Sequence, residues 1–451
     1  MRLVTSFITA TFLAMGVIAM PAQEAGHAHL ALREVRPSTA EGVPSSVSAQ
    51  PLASVVGKAP ATTATKAGGK QFLAYWSIWH APNQAPTQTQ LKGVTHLVLS
   101  FLHVQGASGT WTTGWPAAQN TFDMSMIRTI QDQKIKVIIG VGGWNLDECF
   151  RPASKDETSR ASFAKAVVDF VKMNNLDGID LDWEYPVWNG AGYKLPADSP
   201  NARPRDDSDG PNFVALAKEL RTQLTALSKQ TNKEMTLSLA VPARHEDMLA
   251  YQVSETVKGL DEQVDWWAMM TYDFLNRRDS ITKHHAGATV IKDSIEMYGD
   301  KFGIDRSKLL MGFPMYSKYF PIVPGCQAPY LDCKMGVVYE DPDTGLDKGN
   351  SGVVIFNAAI AGQDGTLAQQ RANEWLSVNS TDHRDLAKKA SAYVDGNNTF
   401  WTWLSKEDMY DSCKSYRDSL RGIFVWSINQ DDGGPNGGTH FDALQRCLSD
   451  Q

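Results

Sequence analysis

The sequence predicts an α/β fold: a (β/α)8 barrel with a small α+β insertion domain between its seventh and eighth strands. Three observations carry this. Short apolar runs recur from Gln71 onward, amphipathic helical stretches separate them, and one interval, from about Ser317 to Asp395, is too long for a loop and a helix. Near-continuous apolar strands imply a parallel sheet buried on both faces. Eight of them close most simply into a barrel, with a doubly wound open sheet as the competing arrangement on pattern alone.

The eight runs are Phe72–Trp76, Thr95–Leu102, Lys136–Val141, Gly178–Glu184, Met235–Val241, Val264–Thr271, Leu309–Phe313 and Gly422–Ile428. Between the third and fourth, the stretch Ser154–Asn174 opens on Ser154-Lys-Asp-Glu157, which reads as a capping box. It carries Phe163, Val167, Phe170 and Val171 on one face. After the fourth run, Pro211 suits a first helical position, and Phe213, Leu216, Leu220, Leu224 and Leu227 follow helical spacing. Both stripes read as core packing. The expected domains are a barrel over 70–316 and 396–451, with the insertion domain over 317–395.

The N-terminus begins with one positive charge at Arg2 and a mostly apolar run to Ile18, followed by small residues. That is the pattern of a secretory signal over 1–22, with cleavage near Ala19 or Ala22. The run is short for a membrane anchor, so an extracellular protein, free of the membrane after cleavage, is expected. Residues 23–69, rich in Ala, Ser, Thr, Pro and Val, read as a pro-segment or linker. Among the five cysteines, export favours pairing. Cys326 with Cys333 and Cys413 with Cys447 is one arrangement, leaving Cys149 free, and five buried thiols is the other reading. Asn379-Ser-Thr and Asn397-Asn-Thr are glycosylation sequons.

At 451 residues, 42% hydrophobic and 21% charged, the chain has the balance of a globular protein. A net charge of −7 without a basic run excludes a phosphate-binding face, and with it a nucleic-acid partner. Mild acidity with 13 Trp and 13 Tyr suits a neutral sugar polymer. Nothing in the sequence calls for a cofactor, and a monomer is the default.

The fourth run carries the chemistry: Leu176-Asp-Gly-Ile-Asp-Leu-Asp-Trp-Glu-Tyr-Pro186. Side chains alternate along a strand, so Asp180, Asp182 and Glu184 share one face while Ile179, Leu181 and Trp183 share the other. In a barrel those acids point inward, with Glu184 uppermost at the carboxyl edge where barrel enzymes place their sites. Carboxylates this close raise one another's proton affinity, which keeps the outermost protonated as a general acid. A divalent-metal site is the alternative for such a strand, but no His or further acid stands near it in sequence to complete one.

This segment resembles the D-x-x-D-x-D-x-E signature of family 18 glycoside hydrolases, the chitinase family. The likeness extends from Gln71 to the C-terminus: Gly140-Val-Gly-Gly-Trp144 is similar to the family's S-x-G-G motif, Met270-Thr-Tyr-Asp273 to M-x-Y-D, and Gly312-Phe-Pro-Met-Tyr316 to G-x-P-x-Y. Trp426 stands where the family keeps a buried Trp. The long interval resembles the chitin insertion domain of part of the family. The resemblance implies a retaining, substrate-assisted mechanism on chitin or chito-oligosaccharides, without metal or cofactor. Glu184 would be the acid and then the base. Asp182 would hold the acetamido N–H, and Asp180 would share a proton with Asp182. Tyr272 would align the acetamido carbonyl, Asp273 and Tyr316 would contact the sugar, and Trp426 would lie under it. Trp144 and Tyr75 complete the candidate set, and Trp76, Trp79, Trp188, Trp401 and Trp403 are further candidates for sugar contacts. One departure is Gly140, which replaces the family's Ser. That Ser and the Tyr matched by Tyr75 hold the middle acid, so Asp180 is expected either to lose a hydrogen bond or to have a water in its place, and the pH profile to differ.

Two other functions fit the same acids: an endo-β-N-acetylglucosaminidase acting on glycoprotein glycans, and a non-catalytic chitin-binding lectin. Lectin relatives typically lose the final Glu, which is present here, and the long insert suits a deep cleft for linear polymer.

Overall fold

A computed structural model describes residues 69–79, 85–107, 110–115, 123–199, 202–357, 366–379, 383–431 and 439–450. The expected signal and all but the last residue of the expected linker lie outside the described residues. Among the described residues, no helix is long and apolar enough to cross a membrane.

The eight runs form eight parallel strands: Gln71–Ser77, His96–Ala107, Lys136–Gly142, Gly178–Asp182, Thr236–Pro242, Trp266–Met270, Leu309–Pro314 and Gly422–Trp426. Each pairs with its neighbour in order. The first pairs with both the second and the eighth, which closes the barrel. The open-sheet alternative is thereby excluded. The second strand runs long and folds back on an antiparallel strand, Thr110–Gly114. The strands are buried nearly end to end, as the apolar runs require.

Two helices illustrate how pattern met packing. Phe163, Val167, Phe170 and Val171 all lie buried on the helix Glu157–Met173. Its cap is Asp156, whose side chain accepts from the Ser159 amide at 2.7 Å. Ser154 is instead the last residue of a short preceding helix, Phe150–Ser154, so the expected capping box is not formed. The helix instead starts two residues later, where Asp156 caps the Ser159 amide in place of the Glu157 amide that Ser154 was expected to reach. The helix Asp209–Thr231 begins two residues before Pro211 and buries all five residues of its predicted stripe.

After the seventh strand the chain builds a five-stranded antiparallel sheet, ordered Gly352–Ile355, Tyr316–Pro321, Thr399–Trp403, Ala390–Val394, Arg384–Asp385, with a helix over Thr366–Asn379. Its central strand, Thr399–Trp403, lies beyond the boundary expected at 395, because Phe400 and Trp401 pair with Phe320 and Tyr319. Cys326–Cys333 and Cys413–Cys447 are bonded, and Cys149 is a free, buried thiol. The second bond ties the C-terminal helix His440–Ser449 to the helix Lys406–Tyr416.

Candidate active site

At the upper end of the fourth strand, the third meets it through glycine, with Gly142 opposite Asp182. Gly142 and Gly143 have φ of 100° and 88°. A Cβ on Gly142 would lie 2.1 Å from the Asp182 carbonyl oxygen, and one on Gly143 2.4 Å from the Phe101 ring. The Gly143 amide donates to that same Asp182 carbonyl at 2.7 Å. Only glycine fits both the backbone conformation and the space.

Below the site, Asp177 anchors the strand's start. It accepts from the Val137 amide at 2.8 Å and pairs with Lys233 at 2.9 Å. Above it, Trp183 turns away from the barrel interior and stacks on Phe150, with centroids 5.2 Å apart. The alternation predicted for this strand therefore holds, and the three acids above Asp177 divide by depth.

Asp180 is fully buried. Tyr75 donates to one of its oxygens at 2.8 Å and Ser238, from the fifth strand, to the other at 2.6 Å. Burial raises its pKa to about 6 even though both hydroxyls work to lower it. The expected loss of a hydrogen bond at Asp180 is thus corrected: Ser238 supplies a hydroxyl where Gly140 has none. Gly140 faces Phe101, whose Cδ1 would lie 2.8 Å from an added Cβ.

Asp182 comes next. Burial, followed by the charge of Glu184, raises its pKa well above the ordinary value. Its Oδ1 is buried and has no hydrogen-bond partner. Buried acceptors are ordinarily satisfied, so this oxygen is poised for a donor brought by a ligand. Glu184 is uppermost and has a pKa raised to about 8. The cause differs in weight from the sequence argument: burial comes first, then the charge of Asp147, then those of Asp273 and Asp247.

These groups floor a cleft of about 870 Å³ at the carboxyl edge of the barrel. Asp182, Glu184, Tyr272, Asp273, Tyr316, Trp144, Tyr75 and Trp426 all line it, and Asp180 lies beneath. Trp426 is half-buried, with its ring 5.6 Å from Phe101 and 5.7 Å from Tyr75. Burial works to raise the pKa of Asp273, but Lys318 at 3.1 Å overrides it and keeps the carboxylate charged. The Tyr316 hydroxyl donates to Asp273 at 2.9 Å. Charged Asp273 and protonated Glu184 therefore sit in one cleft with opposite proton preferences, which is how a site separates acid from acceptor roles.

Sequence reasoning missed several groups. Phe101, Arg244 and Asp247 line the cleft, and Asp247 is pushed up to about pKa 7 by burial despite hydrogen bonds from Asn189 and Arg278, both 2.9 Å. Lys318 and Ser238 were detectable as polar interruptions of apolar strands. Arg244 and Asp247 sit in loop text with no period to mark them. Of the further tryptophans, Trp76, Trp401 and Trp403 are fully buried core residues. Trp79 packs 5.9 Å from Trp426, and Trp188 lines a separate pocket. Among the described residues no group of three or more His, Cys, Asp or Glu is arranged to hold a metal ion.

Comparison with known proteins bears on the fold and the family. The chain is 26% identical over 294 residues to sporulation-specific chitinase 2 of Saccharomyces cerevisiae, an alignment covering 56% of this chain and 53% of that one. It thus spans about half the length of that relative. Its fold is similar to that of chitinase ChiW from a Paenibacillus species, with a TM-score of 0.66 and 22% identity over 84% of this chain and 43% of that chain. It is also similar to class V chitinase from Nicotiana tobaccum, with a TM-score of 0.63 and 17% identity over 84% of this chain and 99% of that chain. The family model for glycosyl hydrolases family 18 matches residues 71–431. That match runs from the first barrel strand to the loop after the eighth and takes in every acid described above, so the chain belongs to glycosyl hydrolases family 18.

Proposed function

We propose that the chain is a secreted chitinase that hydrolyses β-1,4 N-acetylglucosamine linkages with retention, using the substrate's own acetamido group as nucleophile. The observation that carries this reading is the pair formed by Glu184, with its pKa raised to about 8, and Asp182, with an unpartnered buried oxygen, above the Trp426 floor. Glu184 gives its proton to the glycosidic oxygen as the bond to the anomeric carbon breaks. The acetamido carbonyl oxygen closes on that carbon, while Asp182 accepts the acetamido N–H and balances the positive ring that forms. Glu184, now a carboxylate, takes a proton from water as the water opens the ring from the same face. No second carboxylate nucleophile is needed, which is how this family departs from the two-carboxylate scheme.

Tyr272 aligns the carbonyl, and Asp273 and Tyr316 hold the sugar at the cleavage point. Asp180 exchanges its proton with Asp182 in this scheme. Tyr316 and Val353, from the antiparallel sheet, stand on the cleft wall, which suits a deep groove for a linear chain.

The test is release of chitobiose from chitin by the secreted protein, with Glu184→Gln as control. Activity surviving in Glu184→Gln would overturn the assignment of the acid. Cleavage of a glycoprotein glycan in place of chitin would favour the endo-β-N-acetylglucosaminidase reading, and binding without cleavage the lectin. N-terminal sequencing of protein recovered from the medium tests export. A mass shift on glycosidase treatment tests the sequons at Asn379 and Asn397.

A further inference from the structure

Three loops at the carboxyl edge of the barrel share one buried knot of polar side chains. They follow the fourth, fifth and sixth strands, and they contribute Asn189, Asp247 and Arg278. Arg278 donates through Nη1 to Asp247 Oδ1 at 2.9 Å and through Nη2 to the Asn189 carbonyl at 3.1 Å. Asn189 closes the ring. Its Nδ2 donates to the same Asp247 oxygen at 2.9 Å and to the Glu246 carbonyl at 2.7 Å.

The knot bears directly on the general acid. Gly190 follows Asn189 and packs on the acid's own backbone. A Cβ there would lie 2.3 Å from the Glu184 carbonyl oxygen and 3.0 Å from the Tyr185 amide nitrogen. Val187 and Asn189 both have left-handed backbone, with φ of 80° and 81°. Side chains other than glycine hold such conformations only where the surroundings over-determine them. At Val187 the amide donates to Asp209 at 2.8 Å and the carbonyl accepts from Arg151 at 3.2 Å. At Asn189 the fixing contacts are those of Arg278 and Asp247.

The loop that carries Arg278 is fastened on its other sides. The Arg278 amide donates to Asn276 Oδ1 at 3.1 Å, and Asn276 Nδ2 donates to the Asp273 carbonyl at 3.3 Å. Arg277 pairs instead with Asp347 of the inserted region, at 3.0 Å. Arg278 thus stands between the two carboxyl groups of the cleft, tied to Asp273 through Asn276 and to the Glu184 backbone through Asn189. A buried ion pair is weak evidence for stability. What this one supplies is geometry, because a planar guanidinium fork reaches a carboxylate and a carbonyl in fixed directions. Asp247 also faces the cleft, and its charge is among those that raise the proton affinity of Glu184.

We propose that Arg278 is a positioning residue for proton transfer: through Asn189 and Asp247 it holds the Glu184–Tyr185 backbone where the acid meets the glycosidic oxygen. The proposal rests on the chitinase reading for the identity of that acid. Arg278, Asn189 and Asp247 all lie outside the motifs that carry the family likeness.

The experiment separates proton transfer from the rest of the reaction by the leaving group. Chitohexaose expels a sugar and needs the proton, whereas a dinitrophenyl glycoside of chitobiose expels a stable phenolate and does not. Arg278→Gln removes the charge and the fork. It is expected to lower kcat/KM on chitohexaose by about tenfold to a hundredfold and to leave the dinitrophenyl substrate within about threefold. Equal losses on both substrates, or no loss on chitohexaose, would overturn the proposal. Should Arg278→Gln fail to fold, Asn189→Gly tests the same clamp. Glycine adopts this φ without strain, and the change removes only the side-chain bonds to Asp247 and Glu246, so it must give the same split. A wild-type protein inactive on both substrates would instead sink the chitinase reading. Amide hydrogen exchange then decides the clamp: faster exchange over residues 184–190 in the variant, with the barrel strands unchanged, supports it, and exchange equal to wild type refutes it.

Discussion

Ser238 on the fifth strand donates a 2.6 Å hydrogen bond to Asp180 on the fourth, completing the pair of hydroxyls that Tyr75 begins. The bond lowers the pKa of Asp180 against burial, which holds it at about 6. Ser238→Ala removes that bond and leaves a buried acceptor oxygen unsatisfied, so Asp180 keeps its proton to higher pH. The expected outcome is an acid limb of the kcat profile displaced to higher pH, with kcat reduced about tenfold for the roughly 1–3 kcal/mol of a lost buried partner, and KM little changed. A pH profile of Ser238→Ala superimposable on wild type would remove Ser238 from the machinery.

The same relationship changes what Gly140→Ser should do. On sequence grounds a serine here would restore a missing hydrogen bond and shift the pH profile. In the structure both Asp180 oxygens are already engaged, and the new Cβ would lie 2.8 Å from Phe101 Cδ1 and 3.3 Å from the Leu99 carbonyl. Phe101 stacks on Trp426 and is not free to retreat. Overpacking of this kind costs about 1–3 kcal/mol. Gly140→Ser should therefore lower the melting temperature and weaken activity through Trp426 while leaving the acid limb where it was. A shifted limb at unchanged stability would restore the sequence-based expectation.

Asp147 bears on the general acid from outside the four-acid signature. Its charge is the largest electrostatic influence raising the pKa of Glu184, after burial. Asp147→Asn removes a negative charge and frees Arg203, and both changes favour the Glu184 carboxylate. The pKa of Glu184 must then fall from about 8, and the alkaline limb of kcat/KM must move to lower pH. The pH profile of kcat/KM on chitohexaose, whose sugar leaving group needs the proton, would report this directly. An immobile alkaline limb would mean that burial alone protonates Glu184.

Much of this site was legible because strand geometry is periodic. Asp180, Asp182 and Glu184 share a face by alternation, and the structure places them as that rule requires. The barrel was legible for the same reason, since eight apolar runs admit few closed arrangements. What escaped was set by contacts between distant segments. Ser238 stands out as a polar interruption of an apolar run, but its partner Asp180 could be named only once the fifth strand was known to lie beside the fourth. Asp147 and Asp247 lie in loops, where no period marks a side chain as inward. The Ser154 box failed because Ser154 closes the preceding short helix, which leaves Asp156, an equally good cap, at the extended position where the next helix begins. The insertion sheet overran its expected edge because its central strand, Thr399–Trp403, is defined by pairing with Tyr316–Pro321 and not by any break in composition.

A protonated acid held ready in a buried site has a consequence for stability. The ordinary pKa of Glu184 is 4.5 and its folded value about 8. Below the first value both folded and unfolded chains carry the proton, and the group has no pH-dependent effect. Between the two values the folded chain keeps the proton that the unfolded chain has released, so stability falls as pH rises. Above about 8 the penalty is complete. Each tenfold change in proton affinity corresponds to about 1.4 kcal/mol, so the total is on the order of several kcal/mol, reduced by whatever the site relaxes. Glu184→Gln carries no such penalty at any pH. Its melting temperature should match wild type near pH 4.5 and exceed it increasingly toward pH 8, while hydrolysis of chitin is abolished. Parallel melting curves across that range would show that Glu184 titrates normally in the folded protein, and the case for it as a general acid at neutral pH would fall with them.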